Sequence, residues 1–113
     1  MAAAGTLAAG GPRPGAVADV HADVSELFAC LASPVRVRLI ERLVAGEACV
    51  HELVDALALP QPLVSQHLRV LRAARLVTRT RRGREMAYEL ADEHVAHIVA
   101  DALTHAREHG TAR

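Results

Sequence analysis

Apolar residues recur along this chain with two different periods, and the change between them lays out its elements. Val17, Val20, Val24, Leu27, Phe28 and Leu31 share one helical face, which predicts a first helix from Val17 to about Ala32. Ser33-Pro34 reads as an N-cap followed by proline at the first helical position, where a backbone N–H has no partner anyway. A second helix then places Val35, Leu39, Ile40, Leu43 and Val44 inward and is ended by Gly46. A short third helix spans about Val50 to Leu57 through Val50, Leu53, Val54 and Leu57. Leu59-Pro60-Gln61-Pro62 is a tight turn, and a fourth helix covers Pro62 to Ala74 with Leu63, Val64, His67, Leu68 and Leu71 available to pack.

From Leu76 to Leu90 the period falls to two. Val77–Thr80 and Met86–Leu90 are predicted strands joined through Arg81–Glu85, with Gly83 supplying the positive backbone angle such a turn needs. Asp92 caps a last helix, about Glu93 to His109, with Val95, Ile98, Val99, Ala102 and Leu103 apolar. Four helices, a hairpin and a final helix make a mainly α fold with a β-hairpin wing (α+β), a winged helix-turn-helix whose fourth helix is the recognition helix. Residues 1–16 are almost all Ala, Gly and Pro and read as a disordered arm; residues 17–113 form the one folded domain.

Charge sharpens this picture. The chain is neutral, with thirteen arginines, no lysine and thirteen acids, yet Leu59 to Arg84 holds seven arginines and no acid. A solvated arginine face is the ordinary explanation of such a run, but its place across a predicted recognition helix and wing suits a polyanion whose counterions are released on binding. In that module residues near the start of the second helix read base edges, here Gln61, Ser65, Gln66 and Arg69. Arg72 and Arg75 fall further along and suit phosphates, and Arg81, Arg82 and Arg84 sit at the wing tip. His67 reads as a packed or phosphate-contacting residue rather than a base reader.

Other function classes fall away. No apolar run approaches the roughly 20 residues of a membrane span, and the first sixteen residues lack the pattern of a secretory signal. A cytoplasmic protein is expected, with Cys30 and Cys49 reduced. No nucleophile constellation or phosphate-cradling glycine loop supports an enzyme. Phe28 and Tyr88 are the only large aromatics, so the small aliphatic core favours stabilisation by a second copy of the chain.

Three stretches carry a family likeness: Phe28–Ile40 (FACLASPVRVRLI), Val64–Leu71 (VSQHLRVL) and Ala74–Val77 (ARLV). From about Val20 to His109 the chain resembles the ArsR/SmtB family of bacterial metal-sensing transcription regulators. The resemblance implies a homodimer through the first and last helices, bound to a palindromic double-stranded operator with its recognition helices about one DNA turn apart. Pro60 departs from the pattern, since relatives often carry a Ser-like cap there, and this predicts a looser start to the recognition helix.

A second constellation is Asp92, His94, His105 and Glu108. His94 and His105 lie eleven residues apart on one face, about 16 Å along the axis, too far to share an ion within one helix. Two antiparallel copies solve this, because Asp92 with Glu108 and His94 with His105 share nearly the same midpoint, which places a two-fold axis near Val99 and Ala100. Two equivalent sites per dimer follow, each with Asp92 and His94 from one chain and His105 and Glu108 from the other. Exposed histidines on a helix are ordinarily just solvated; the four matching spacings, which fit the family's zinc-sensing branch, argue otherwise.

Two imidazoles and two carboxylates suit tetrahedral Zn(II). Added imidazoles at His97 and His109, with His21, would raise the coordination number towards six and favour Ni(II) or Co(II). Cys49 and His51 offer part of a second site, but residues 1–29 supply no cysteine to complete it, and Cys30 sits on an apolar stripe as core. The expected function is a metal-responsive DNA-binding regulator, a repressor released by Zn(II) or Ni(II). The alternative is a winged-helix regulator that activates, or answers to thiol oxidation or a protein partner.

Overall fold

Capping groups decide where the helices begin. A computed structural model describes residues 19–110, so the arm at 1–16 and Val17 lie outside the described residues. Its elements are α1 (Val20–Leu31), α2 (Pro34–Val44), β1 (Ala48–Cys49), α3 (Val50–Leu57), α4 (Gln61–Ala73), β2 (Val77–Arg82), β3 (Glu85–Leu90) and α5 (Glu93–His109). The start expected at Val17 is corrected to Val20. Asp19 has extended backbone, and its Oδ1 accepts the N–H groups of His21 and Ala22 at 3.0 and 3.2 Å. A carboxylate satisfying two orphan donors outweighs a continuing apolar stripe.

Ser33 caps α2 as expected, its Oγ accepting from the Arg36 N–H at 3.3 Å with Pro34 behind it. At α4 no side chain caps the start, yet the first turn is closed. The Pro60 carbonyl accepts both Leu63 and Val64 N–H groups at 3.1 Å, and Pro62 has no N–H to satisfy. The helix therefore begins at Gln61, one residue earlier than expected.

The sheet has three antiparallel strands in the order β1-β3-β2. β1 was not anticipated: two residues, with Ala48 opposite Tyr88 and Cys49 opposite Ala87, are too short to show a period of two. The wing strands are longer than expected, running in register from Val77↔Leu90 to Arg82↔Glu85. Arg81, Arg82 and Glu85 are thus strand residues, and only Gly83-Arg84 turns. Gly83 has φ +66°, as the first central residue of the glycine-led hairpin turn requires.

The core is aliphatic. Leu39, Ile40, Leu53, Val64, Leu68 and Leu71 are wholly buried, and Leu43, Leu76, Val77, Tyr88, Val95 and Val99 close around them. Cys30 joins this cluster. Helix α2 runs through the middle, in contact with α1, α3, α4, α5 and β3.

The recognition helix ends in a motif whose residue type is unexpected. The Arg75 N–H bonds to the Arg72 carbonyl at 3.0 Å and the Leu76 N–H to the Leu71 carbonyl at 2.9 Å, while Arg75 takes φ +64°. These are the two bonds of the Schellman C-terminus, with buried Leu76 as its apolar plug and arginine where glycine is usual. A non-glycine residue there is disfavoured by roughly 1 kcal/mol or more. Arg75→Gly is therefore expected to raise stability by about 0.5–1 kcal/mol in urea denaturation, the gain in the folded state exceeding the added freedom of the unfolded chain.

Candidate nucleic-acid interface and metal face

Helix α4 buries Val64, Leu68 and Leu71, and that fixes which residues face outward. Gln61, Gln66, Arg69 and Arg72 are exposed and Ser65 is half-buried. Exposed Arg75 follows at the C-terminus, and Arg79, Arg81 and Arg84 continue the positive surface along the wing. Among the described residues none of these arginines forms a salt bridge, so their charge is available to a polyanion. Arg79 was not among the expected contacts; β2 is exposed throughout from Thr78 to Arg82, and Arg79 lies within that stretch.

Arg82 behaves differently from its neighbours. It pairs with Glu47, just ahead of β1, so it ties the outer end of β2 back to the chain before β1. Beside it His51 Nδ1 lies 2.5 Å from Glu85 Oε1, joining α3 to β3. The Glu85 hydrogen bond and charge hold His51 above its ordinary value near 6.5.

His67 is half-buried, and its Nδ1 accepts a hydrogen bond from Arg36 Nε at 3.1 Å. Burial, and then the Arg36 charge, push its pKa down. Arg36 and His67 are 31 positions apart, and nothing in their local sequence patterns signals the contact.

Cys49 is half-buried at the N-cap of α3, and its N–H donates to Glu52 Oε1 at 2.8 Å. Burial, followed by the Glu85 and Glu52 carboxylates, raises its thiol pKa. Thiolate is the form that ligates metals and reacts with oxidants, and these surroundings oppose it.

On α5 all four expected ligands are exposed. Asp92 caps the helix, its Oδ1 accepting the Val95 N–H at 3.0 Å. Among the described residues of one chain, no three His, Cys, Asp or Glu side chains converge well enough to hold a metal. His97 is exposed, and His21 is exposed in the first turn of α1. His109 stacks on His105 with ring centroids 4.4 Å apart, its Nδ1 3.0 Å from the His105 carbonyl oxygen.

Beside this row lies an unpartnered apolar face. Val20, Val24 and Phe28 of α1 and Ile98 of α5 are exposed, Phe28 by 57%. Phe28, Leu31, Val37, Ile98, Ala102 and Leu103 line a shallow groove between α1, α2 and α5. No helix among the described residues is long and apolar enough to cross a membrane.

Residues 33–79 match the model of the bacterial regulatory proteins of the arsR family. The HTH-type transcriptional repressor SmtB of Mycobacterium tuberculosis is 54% identical over 97 residues, covering 86% of this chain and 70% of that protein. The chain belongs to the ArsR/SmtB family. Among solved structures, a homodimeric winged helix-turn-helix DNA-binding domain from Mycobacterium bovis superposes with a TM-score of 0.74 at 26% identity, covering 83% of this chain and 87% of that one. The transcriptional repressor BigR from Xylella fastidiosa gives 0.70 at 34%, over 74% and 86%. This ArsR/SmtB member is accordingly a DNA-binding transcription regulator and not an enzyme.

The two perturbed histidines make opposite contributions to the pH dependence of folding. His51, with its pKa raised, adds stability below about 6.5 that is lost as pH rises through its folded-state value. His67, with its pKa lowered, adds stability above about 6.5 that is lost as pH falls towards its folded-state value. NMR titration of the ring protons is expected to place His51 above 6.5 in the wild type and to lower it in Glu85→Gln. An unchanged His51 titration in that variant would remove the pair from the account.

Proposed function

We propose that this regulator is a homodimeric repressor, acting in the cytoplasm, that releases its operator when Zn(II), or alternatively Ni(II) or Co(II), binds at two sites between the paired α5 helices. The observation that carries the reading is the α5 row itself. Its four ligand-type side chains are exposed and cannot chelate within one chain, and they border an apolar face that wants a partner. Phe28 and its neighbours, with the homodimeric Mycobacterium bovis domain as analogue, support a second copy as that partner. The Mycobacterium tuberculosis relative, a transcriptional repressor, supports repression.

The donor set fits a borderline metal. Asp92 and His94 of one chain with His105 and Glu108 of the other give two nitrogens and two carboxylates, a tetrahedral zinc complement without sulfur. Asp92 uses one carboxylate oxygen to cap α5 and retains the other for a cation. His109, already stacked on His105, and His97 are the imidazoles that would extend the set towards nickel or cobalt.

When bound, a metal held by Asp92, His94, His105 and Glu108 would supply a cross-link between subunits, its charge balanced by the two carboxylates. The chain's own residues do the rest: Gln61, Ser65, Gln66 and Arg69 read bases, while Arg72, Arg81 and Arg84 meet phosphate. Arg82, braced by Glu47, sets the wing. Coupling of about 1–3 kcal/mol between metal and DNA suffices for a large change in occupancy, and it is reciprocal.

A mixed-dimer experiment tests the cross-subunit assignment. His94→Ala and His105→Ala homodimers are each expected to lose the metal response while binding DNA normally without metal. In a heterodimer of the two, one site lacks both histidines and the other is complete. Co-refolding the variants in equal amounts should therefore restore about a quarter of wild-type metal binding, since random pairing makes half the dimers mixed. No restoration, or a normal response in either homodimer, sinks the assignment. Phe28→Asp is separately expected to yield monomer by sedimentation.

A further inference from the structure

We propose that Arg36 is a positioning residue for the recognition helix, clamping α4 to the last turn of α1. Its NH1 donates to the Cys30 carbonyl at 2.9 Å, and its Nε donates to His67 Nδ1 at 3.1 Å. Its backbone N–H is bound to Ser33 Oγ, which fixes it at the start of α2. One half-buried guanidinium thus joins three helices: the end of α1, the first turn of α2 and the middle of α4.

The chemistry of the partners makes the clamp specific. Among the described residues Arg36 has no carboxylate partner, so its charge is held by neutral acceptors. The Cys30 carbonyl is one of the orphan acceptors at a helix C-terminus, where positive charge is favoured. A guanidinium offers its donors in a rigid planar fork, so a shift of the α1 end is passed to α4 instead of being absorbed by a flexible stem. Lysine, with one ammonium, lacks that fork. His67 serves only as an acceptor at Nδ1, which keeps the ring's proton on Nε2.

This inference rests on the reading of α4 as the DNA-reading helix, and one experiment separates the two. The full-length chain would be titrated by fluorescence anisotropy against a duplex selected from random sequence by the wild type, and against an unselected duplex, across a range of salt. The variants are His67→Leu, His67→Gln, Arg36→Lys and, as a control on α4 itself, Arg69→Ala. Glutamine retains an acceptor oxygen for Arg36 and leucine does not.

His67→Leu and Arg36→Lys are expected to lose about tenfold or more in affinity for the selected duplex, the scale of an ordinary coupling. Affinity for the unselected duplex and the salt slope should stay unchanged, and His67→Gln should recover most of the loss. The clamp is overturned if His67→Leu binds the selected duplex like the wild type. It is also overturned if the salt slope falls by about 0.9, marking a direct phosphate contact. Equal losses of affinity and Tm in the leucine and glutamine variants would overturn it too, as simple packing. If Arg69→Ala has no effect either, the reading of α4 fails with it; if only Arg69→Ala weakens binding, the clamp alone fails.

Discussion

Helix α2 is the element on which the others lean. Its Leu39 and Ile40 are wholly buried, and each such side chain contributes roughly 1.5–3 kcal/mol by leaving water. Its polar flank then orients what the core has gathered. Arg36 reaches the Cys30 carbonyl and His67, Arg38 NH2 donates to the Leu57 carbonyl at 3.0 Å, and Glu41 meets Arg107 of α5 at 2.7 Å. The last pair is exposed and worth at most about 1 kcal/mol, so it does not hold α5 in place. Burial decides which helices touch α2, and the hydrogen bonds to fixed backbone carbonyls decide how they are turned.

The same division governs the DNA face. Burial of Val64, Leu68 and Leu71 leaves Gln66, Arg69 and Arg72 no direction but outward, so the positive surface is a by-product of core packing. Carboxylates are kept to the edge of this surface. Glu47, just ahead of β1, and Glu85, just after the wing turn, pair with Arg82 and His51. Those contacts join β2 and β3 to the region of β1 and α3, and they leave Arg79, Arg81 and Arg84 unneutralised. A wing tied down beside its turn and charged along its length can meet a phosphate backbone without collapsing onto the protein's own acids.

Much of this was legible in the residues because it is local. Ser33-Pro34, Asp92 and the drop in apolar period after Leu76 each act within a few positions, and the elements they announce are present. The misses are of two kinds. Asp19 and the Pro60–Pro62 frame moved helix starts because hydrogen-bond satisfaction beats apolar periodicity at a terminus. β1, the Arg75 terminus and the Arg36–His67 bond depend on what the fold brings near, and a two-residue strand or a contact 31 positions apart leaves no periodic trace. The α5 row of His and acidic residues is a third case. Its spacing was readable, but the proposed role depends on pairing across two chains, which one chain cannot display.

The rival signal, a thiol, has weaker physical support than the α5 row. Cys30 is part of the core, where oxidants have little access. Cys49 is half-buried with its pKa raised, and two of the groups raising it, Glu85 and Glu52, are fixed by other duties, to His51 and to the Cys49 N–H. Both influences suppress the thiolate that either oxidation or metal ligation requires. The α5 side chains face the opposite balance. They are exposed, so no burial stands between them and a cation. A cation therefore meets exposed donors at α5, and a half-buried, acid-flanked sulfur whose thiolate is disfavoured at Cys49. That difference in cost, and not the count of potential ligands, favours the inter-subunit helices as the sensing element.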